Sequence, residues 1–228
     1  ARTEGGNLRR LLDASPAMGS RTEVVLVEGH SSDETWEVAR ALAAGRPHTR
    51  ALQQTGRGKG DAVRAGFEIA TGDILMILDA DVSVARGDLV RFYEALVAGR
   101  GEFVNGVRLV YPMESQAMRS WNLLGNRFFS LLFSWLLGQR IQDTLCGTKV
   151  MWADDYRKLA AGRAYFGELD PCRDFDLLFG AARMKLDIVD LPVRYRERTY
   201  GETNIRRWRD GWLLLRMSAL AARRLKFV

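Results

Sequence analysis

The sequence contains few of the residues that crosslink small folds or bind metals in them. Among 228 residues there are two cysteines and two histidines. Cys146 and Cys172 are too few for a disulfide framework, and no spaced cluster of cysteine and histidine predicts a zinc site. This usage favours a reducing, cytosolic setting and excludes the disulfide-rich secreted class.

The sequence also lacks a hydrophobic run long enough to span a bilayer. Its longest nearly apolar stretch, residues 128–138, has eleven residues and includes two serines, whereas a spanning helix needs about 20 apolar residues. Hydrophobic residues make up 47% of the chain and charged residues 27%. These fractions are typical of a globular protein and exclude a disordered or fibrous one. The length fits one domain, and no linker or repeat divides it.

Positive charge outweighs negative charge, and the excess lies towards the end of the sequence. Lysine and arginine number 34 against 28 acids, a formal charge of +6. In residues 206–228 seven basic side chains stand against one acid, Asp210. Such an excess predicts an anionic partner: nucleic acid, anionic lipid or a phosphorylated small molecule. We exclude nucleic acid because the sequence has no recognisable binding motif and no aromatic-basic platform.

Short apolar runs alternate with segments of helical periodicity along the whole chain. This pattern predicts an α/β domain with a mostly parallel central sheet. The predicted strands are 22–28, 50–53, 73–79, 103–110, 148–152 and 186–195, and the predicted helices are 7–14, 31–42, 59–70, 87–98, 115–138, 154–161, 174–184 and 207–226. We expect Ser31 or Ser32 to cap the second helix, Gly72 to close the third and Gly125 to break the fifth.

Two aspartates, Asp79 and Asp81, follow the most apolar strand, with the small Ala80 between them. Ligands of parallel sheets bind outside the carboxyl ends of the strands. Residues two apart in an extended chain point to the same side, so we expect both carboxylates to face one cation. Hard oxygen ligands at an open site suit Mg²⁺ or Mn²⁺ together with substrate phosphates. The alternative is a solvated turn, which an Asp-x-Asp pattern by itself does not exclude.

Two further features are expected at the same edge of the sheet. Glu28 ends an earlier strand, although it could also serve only as a capping acid for the helix that follows Ser31. The glycine-rich turn at residues 56–60 precedes a helix whose N-terminus suits an anion. This turn lacks the Gly-Lys-Ser/Thr of a Walker A loop. Its position at this edge is therefore the main indication of a binding role.

Taken together, these segments resemble the motifs of the family 2 glycosyltransferases, and they are nearest to the polyprenyl-phosphate sugar synthases such as dolichol-phosphate mannose synthase. The similar segments, in family order, are 27–33 (V-D-D-G-S-T-D in the family), 58–62 (G-K-G-x-A), 77–81 (the metal motif), 106–108 (G-S-R), 143–149 (D-x-x-C/S-G-F-K/R) and 198–204 (R-x-x-G-x-S-K). The resemblance covers essentially the whole chain. It implies a glycosyltransferase-A catalytic domain over 1–206, followed by a basic amphipathic helix over 207–228.

The start of the sequence also resembles the family. Residues 1–4 are similar to the end of the family's first loop, P-x-x-N-E, with Thr3 in place of asparagine. The resemblance therefore implies a first β-strand upstream of the sequence. Other departures from the family pattern are Gly29 and His30 in the base-binding motif and Asn204 in place of a lysine.

The resemblance implies an inverting transfer of a sugar from a nucleotide-diphosphate sugar, assisted by Mg²⁺ or Mn²⁺. It assigns three groups of residues. Nucleotide-sugar binding is assigned to Arg2, Glu4, Glu28, Lys59, Asp79, Ala80, Arg108 and Arg198, metal binding to Asp79, Asp81 and Ser83, and catalysis to Asp81, Asp174 and Arg198.

The acceptor is either a polyprenyl phosphate or a glycan hydroxyl. A lipid phosphate is already anionic and requires cations, for which Arg108, Arg119 and Arg127 are candidates, although ordinary surface charge would also explain Arg119 and Arg127. A hydroxyl requires a general base, for which Asp174 is the candidate unless it only caps the following helix. The Q-x-x-R-W motif of processive synthases is absent from the sequence, which argues against polymerisation.

Two segments predict contact with a membrane surface, which we expect to be the cytoplasmic face. The apolar run 128–137 and the last helix, in which tryptophans and leucines lie among arginines, suit an interfacial position. A core helix and a subunit contact are the alternatives. Two rival functions are a sugar nucleotidylyltransferase, which would need a basic triphosphate-binding loop near the start, and a non-catalytic nucleotide-sugar-binding or scaffold protein of the same fold.

Overall fold

The computed structural model describes residues 1–81, 84–108, 120–144, 146–162 and 175–194, and residues 212, 215, 216, 218, 219 and 221–223 near the end of the chain. The helices are α1 (Gly5–Ala14), α2 (Thr35–Ala44), α3 (Lys59–Ile69), α4 (Arg86–Val97), α5 (Ser120–Leu137), α6 (Ala153–Ala161) and α7 (Phe175–Arg183). The strands are β1 (Val24–Glu28), β2 (Thr49–Gln53), β3 (Ile74–Met76), β4 (Phe103–Val107), β5 (Lys149–Trp152) and β6 (Ile188–Pro192). All of the described residues from 212 to 223 are helical, and the division at residue 206 stays a prediction.

The six strands form two sheets. β1 pairs with β2 in parallel, with Val24 opposite Thr49. The larger sheet has the order β3-β5-β4-β6, in which β5 runs antiparallel to β3 and β4 while β4 and β6 are parallel. Three strands of the larger sheet therefore share one direction. The predicted α/β domain with a mostly parallel sheet is confirmed, whereas the reversed direction of β5 was not predicted.

A cavity of about 420 Å³ lies between the facing edges of β1 and β3. Its walls include residues 24–27 on one side and 74–78 on the other. The main-chain nitrogen of Ala1 donates to the carbonyl oxygen of Val27 at 2.5 Å, and the nitrogen of Gly29 donates to the carbonyl oxygen of Ala1 at 2.8 Å. Two bonds of this kind form the repeating unit of a parallel ladder. The strand that the resemblance implies upstream of the sequence stays a prediction.

Buried apolar side chains hold the layers together. Between α5 and α7, the rings of Phe133 and Phe179 stack with their centroids 5.1 Å apart. Phe103 of β4 and Leu178 of α7 belong to the same buried cluster. A second cluster joins α4 to the larger sheet, and a third joins α1 and α2 to β1. Replacing a buried phenylalanine with alanine costs about 3–5 kcal/mol of unfolding free energy. Packing of this strength holds in place the strand ends that carry the site.

Several element boundaries differ from the predicted ones, and two of them lie at the predicted site. β3 ends at Met76 rather than at Asp79. α2 begins at Thr35, and the carboxylate of Asp33 accepts a hydrogen bond from the main-chain nitrogen of Thr35 at 3.3 Å. The predicted cap by Ser31 or Ser32 is wrong, because Glu34 stands at the N-cap position of α2. The hydroxyl of Ser31 instead accepts a hydrogen bond from the main-chain nitrogen of Thr3 at 2.9 Å.

The two glycines predicted to end or break helices do neither. α3 ends before Gly72, at the extended residue Ala70. α5 continues through Gly125, where an added Cβ would meet no atom within 4 Å. A glycine inside a helix costs about 1 kcal/mol relative to alanine. Burial of the inward face of α5 outweighs that cost.

Candidate active site

Several of the predicted site residues lie where β1 and β3 end and α3 begins. Glu28 is the last residue of β1, Asp79 follows β3, and Lys59 is the first residue of α3. Burial lowers the pKa of the amino group of Ala1. The charged side chains that also act on this pKa are Asp79, Glu28, Glu4 and Lys59. These four side chains therefore lie near enough to Ala1 for their charges to act on it.

An ion pair joins the glycine-rich turn to the aspartate motif. The ammonium nitrogen of Lys59 lies 2.6 Å from Oδ1 of Asp79, and the two side chains are 32% and 38% exposed. Gly147 packs against the pair, since a Cβ there would overlap both the carboxylate of Asp79 and the nitrogen of Lys59. Buried Lys149 fixes this segment by donating to the carbonyl oxygen of Cys146 at 2.6 Å. The pair is therefore enclosed by main chain on one side and open to solvent elsewhere.

The two aspartates of the motif differ in environment. Ala80 and Asp81 lie in a turn and Asp79 lies in a non-repetitive segment, so the extended-chain geometry expected for this motif is wrong. Asp81 is buried, whereas Asp79 is partly exposed beside Lys59. The motif thus presents one carboxylate to solvent and buries the other.

The glycine-rich turn leads into an uncapped helix N-terminus. Gly58 has φ +90° and ψ 169°, a backbone conformation that residues with a side chain rarely adopt. α3 begins at the next residue, and Gly58 at its N-cap has no side chain with which to cap it. The main-chain nitrogen of Gly56 donates to Oδ2 of Asp61 at 2.9 Å, which fixes the turn. The start of a helix carries partial positive charge and favours an anion.

Glu28 is buried and holds the loop after β1. Its carboxylate accepts hydrogen bonds from the main-chain nitrogen of Ser31 at 2.5 Å and from Nε2 of Gln53 at 2.9 Å. Burial raises the pKa of Glu28, but the hydrogen bonds outweigh burial and the pKa lies below its ordinary value. Glu28 is therefore ionised at neutral pH and fixes the turn that resembles the family's base-binding motif. Its contact with a nucleotide stays a prediction.

Glu4 is also buried and is held by its neighbours. Its Oε2 accepts a hydrogen bond from Nδ2 of Asn7 at 2.7 Å, and its main-chain nitrogen donates to Oγ1 of Thr35 at 3.1 Å. Arg2 is exposed. The nucleotide-binding roles of Glu4 and Arg2 stay predictions.

Arg108, which follows β4, is fixed by a buried carboxylate. Its Nε and Nη2 donate to Oδ2 and Oδ1 of Asp143 at 2.8 and 2.9 Å, and its main-chain nitrogen donates to Oδ2 at 3.1 Å. Asp143 is fully buried. A two-point pair of this kind fixes the plane of the guanidinium and is stronger than a single hydrogen bond.

Two polar residues with no assigned role in the sequence, buried Asn105 and partly buried Asp190, hold the Asp143 loop. Nδ2 of Asn105 donates to the carbonyl oxygen of Asp143 at 3.0 Å and to Oδ1 of Asp190 at 2.8 Å. Oδ2 of Asp190 accepts a hydrogen bond from the main-chain nitrogen of Gln142 at 2.7 Å. Burial raises the pKa of Asp190, and the hydrogen bonds oppose burial only in part. The only signal that could have pointed to these residues is a single polar side chain inside each of two apolar strands.

Five predicted site residues remain. Ser83, Arg119, Asp174 and Arg198 lie outside the described residues. Arg127 is described and is exposed on α5. Close in sequence to Asp174, Asp176 of α7 lies 3.5 Å from Arg64 of α3. This pair connects α7 to the helix that begins at the site.

A model of glycosyl transferase family 2 matches residues 1–156. The match covers more than half of the sequence and includes the Asp79–Asp81 motif. The chain belongs to this family. It is therefore a glycosyltransferase, as the resemblance of its motifs implied.

Two relatives of this family 2 enzyme align with most of its sequence. A dolichyl-phosphate hexose transferase of Haloferax volcanii is 30% identical over 195 residues, which cover 86% of this chain and 78% of the relative. An undecaprenyl-phosphate mannosyltransferase of Micrococcus luteus is 30% identical over 213 residues, which cover 87% of this chain and 80% of the relative.

Solved structures of other glycosyltransferases share the fold. Glucosyl-3-phosphoglycerate synthase of Mycobacterium tuberculosis, in complex with Mn²⁺, uridine diphosphate and glucosyl-3-phosphoglycerate, has a TM-score of 0.68 at 17% identity, over 99% of this chain and 77% of that one. Mannosyl-3-phosphoglycerate synthase of Rubrobacter xylanophilus has a TM-score of 0.62 at 20% identity, over 99% and 71%. At these identities the likeness shows the fold alone, which is the glycosyltransferase-A fold.

The aspartate motif of this family 2 enzyme fits a divalent ion that binds with its substrate. Within the described residues, no group of three or more histidine, cysteine, aspartate or glutamate side chains could hold a metal ion. Mg²⁺ is commonly bound by one or two carboxylates together with substrate phosphates, and the motif offers the partly exposed carboxylate of Asp79 next to the buried one of Asp81. The ammonium of Lys59 shows that a cation fits at Asp79.

Proposed function

We propose that this glycosyltransferase moves a hexose from a nucleotide-diphosphate sugar to a polyprenyl phosphate, with inversion at the anomeric carbon. The observation that carries the proposal is the Lys59–Asp79 pair beside Gly147. The pair places an ammonium, which can bind a diphosphate, beside a carboxylate, which can bind a divalent ion. The relatives named for dolichyl phosphate and undecaprenyl phosphate support the acceptor.

The donor diphosphate is proposed to bind between the start of α3 and the aspartate motif. Lys59 supplies positive charge at this point, and the uncapped N-terminus of α3 adds partial positive charge. The turn fixed by Glu28 is proposed to hold the base and ribose. These groups position the donor and stabilise the charge that develops on the leaving diphosphate.

Asp79 and Asp81, with Ser83 as a proposed further contact, would hold the divalent ion. When bound, Mg²⁺ or Mn²⁺ supplies charge neutralisation for the diphosphate leaving group. Glucosyl-3-phosphoglycerate synthase, which shares the fold, is seen with Mn²⁺ and uridine diphosphate together. That complex supports an ion that accompanies the nucleotide.

The acceptor phosphate requires cations rather than a general base, because a phosphate is already an anion. Arg108 is a candidate cation that lies within the described residues, and Asp143 fixes its guanidinium. Arg119 and Arg127 are further proposed cations for the acceptor, and Asp174 would be the base if the acceptor were a glycan hydroxyl. Arg198 is proposed to bind the donor diphosphate. We place the reaction at the cytoplasmic face of a membrane, because the lipid acceptor requires a bilayer and the cysteine usage favours a reducing compartment.

Transfer assays with the purified protein test this proposal. Uridine- and guanosine-diphosphate sugars are offered with and without a polyprenyl phosphate, in Mg²⁺, in Mn²⁺ or in EDTA. We expect transfer to the lipid phosphate only with a divalent ion, together with release of an equal amount of nucleoside diphosphate. Transfer to a glycan, or hydrolysis of the donor without transfer, would contradict the proposal that the acceptor is a polyprenyl phosphate. An equal rate in EDTA would contradict the metal role.

The variant Asp81→Asn tests the aspartate motif directly. We expect turnover to fall about a hundredfold or more, because a group that stabilises transition-state charge is lost. Asparagine has nearly the volume of aspartate, so the thermal melt should stay close to that of the wild type. The matched control is Asp154→Asn, at an exposed position on α6, which should leave turnover unchanged. Full activity of Asp81→Asn would show that the carboxylate of Asp81 is not needed for catalysis.

A further inference from the structure

α5 is apolar on two sides, although only one side is buried. Phe133 and Leu136 are buried in the core. On the opposite side, Phe128, Leu131 and Trp135 are 54%, 74% and 53% exposed. Their spacing of three and four residues places them on one face of the helix. A helix whose outer face met only water would carry polar side chains there.

The charge around this outward face is positive. Arg127 is the only charged residue in the sequence of α5, and it is exposed next to Phe128. Arg140, which follows the helix, is also exposed. Arginine side chains can lie along an apolar surface while their guanidinium groups meet anionic lipid headgroups. Aromatic and aliphatic residues flanked by arginine are typical of a helix that lies in a membrane interface.

The described end of the chain carries a second surface of the same kind. Trp212 and Leu215 are exposed, and Arg216 beside them is exposed as well. Ala221 is buried in the same core cluster as Phe133 of α5. Both helical segments therefore pack on one core and expose aromatic, aliphatic and basic side chains.

The inward side of α5 is bonded to the loop that fixes Arg108. The hydroxyls of Ser130 and Ser134 contact the main chain of residues 141–142: Ser130 donates to a carbonyl oxygen at 2.7 Å, and Ser134 accepts from a nitrogen at 2.9 Å. The next residue, Asp143, binds Arg108. One helix, about 10–12 Å in diameter with its side chains, therefore separates the outward face from the loop that holds Arg108.

We propose that the outward face of α5, formed by Phe128, Leu131 and Trp135, rests on an anionic bilayer and sets Arg108 near the phosphate of an acceptor held in that bilayer. The inference rests on the proposed polyprenyl-phosphate acceptor. Within the part of the chain that the structure describes, no helix could span a bilayer. The proposed contact is one with the bilayer surface. The polyprenyl chain then stays among the lipid tails while its phosphate meets the guanidinium.

Co-sedimentation with vesicles tests the proposed surface. The probe is vesicles of phosphatidylcholine and phosphatidylglycerol in about equal amounts. The double variant Leu131→Ser/Trp135→Ser should bind them about tenfold or more weakly than the wild type, because two large apolar side chains no longer enter the interface. The matched control is Val97→Ser, which removes a side chain that is 52% exposed at the end of α4. It should bind as the wild type does.

Two results would overturn the proposal. One is undiminished binding of the double variant to the vesicles. The other is a wild-type dimer, detected by light scattering, that the double variant disrupts without a change in vesicle binding, since the face would then join two copies of the chain. Thermal melts establish that each variant is folded. If the double variant does not fold, Leu131→Ser alone is tested in its place, because Leu131 is the most exposed of the three positions. It should also bind the vesicles more weakly than the wild type.

An activity measurement separates this inference from the proposed function. The double variant should glycosylate a short, water-soluble polyprenyl phosphate as fast as the wild type does, and a long-chain one in vesicles about tenfold or more slowly. Equal slowing on both acceptors would overturn the surface proposal, because α5 would then act on the site itself. If the wild type uses neither acceptor, the proposed function fails, and the vesicle-binding result still decides the surface.

Discussion

Gly147 lies where the main chain comes closest to the Lys59–Asp79 pair. Any side chain at this position would occupy the space of the carboxylate or of the ammonium. Lys149 holds the segment in place through the carbonyl oxygen of Cys146. The position of two opposite charges therefore depends on a residue that carries no functional group.

The variant Gly147→Ala should lower both stability and transfer. Its Cβ would displace Asp79 or Lys59, and overpacking of this kind costs about 1–3 kcal/mol. Urea denaturation measures the change in unfolding free energy. The matched control is Gly87→Ala in α4, where an added Cβ meets nothing within 4 Å; it should be neutral or stabilising by up to about 1 kcal/mol. Equal stability of the two variants would contradict the close approach.

Lys59 should compete with a divalent ion for Asp79. The variant Lys59→Met removes a cation that lies 2.6 Å from the carboxylate. Because an exposed pair contributes up to about 1 kcal/mol, we expect affinity for Mn²⁺ without nucleotide to rise by up to about fivefold. Affinity for the nucleotide sugar should fall, since a phosphate partner is lost. Titration calorimetry measures both, with Lys59→Arg as the control that keeps the charge. An unchanged Mn²⁺ affinity would argue against the competition.

At the scale of elements, a buried network ties β4 and β6 to the loop that precedes β5. Asn105 is the central residue, because its amide nitrogen contacts both Asp190 and the main chain of Asp143. Asp143 in turn fixes the guanidinium of Arg108. The direction of this arginine is thus set by residues on two strands that the sequence places 85 positions apart.

The raised pKa of Asp190 predicts a pH dependence of stability. Burial favours the protonated carboxyl in the folded state. The folded state therefore binds more protons than the unfolded state between the ordinary pKa and the raised one, so this contribution to stability is lost as pH rises through that window. Glu23 and Glu28, whose pKa values are lowered, contribute in the opposite direction.

Comparison of the wild type with Asp190→Asn isolates this contribution. Urea denaturation is followed from about pH 4 to pH 7, a window that starts near the ordinary aspartate pKa. The wild type should lose stability relative to the variant as pH rises. A difference that stays constant across the window would mean that Asp190 titrates normally.

Local sequence patterns predicted most helices and strands to within a few residues. The valines of β1 and the apolar periodicity of α4 are contained within their own segments, so neighbouring residues suffice to predict them. The direction of β5 was not predictable in this way. Its apolar run suits either direction, and only its pairing with β3 and β4 decides between them.

The candidate site was predictable residue by residue but not as an arrangement. The motifs pointed to Lys59 and Asp79 separately, whereas their ion pair depends on how α3 packs beside β3. The extended geometry assumed for Asp79 and Asp81 was wrong, because β3 ends three residues before the motif. Asn105 carries no local signal of its role, since its partners are distant in sequence.

At the scale of the whole molecule, Cys146 reports on opening of the core. It is buried beside Gly106, and burial raises the pKa of its thiol to about 11. Because the thiolate is the reactive form, alkylation by iodoacetamide near pH 8 should be slow until the chain unfolds. The measurement uses a Cys172→Ser variant, so that Cys146 is the only cysteine in the sequence that can be alkylated.

Mass spectrometry of labelled Cys146 across a urea series measures this effect. Labelling should follow the same transition as circular dichroism, as expected when the whole core opens together. Rapid labelling well below that transition would show that the segment around Cys146 opens by itself.

The pairing of Ala1 with β1 sets the path of any residues that lead to it. Ala1 lies opposite Glu28 in parallel register, so residues ahead of it would run along β1 and into the cavity, and the fourth residue back would be level with Val24. Aliphatic residues suit that path, because the cavity is lined by apolar side chains of β1 and β3. Each of their main-chain groups could also hydrogen-bond to a sheet edge.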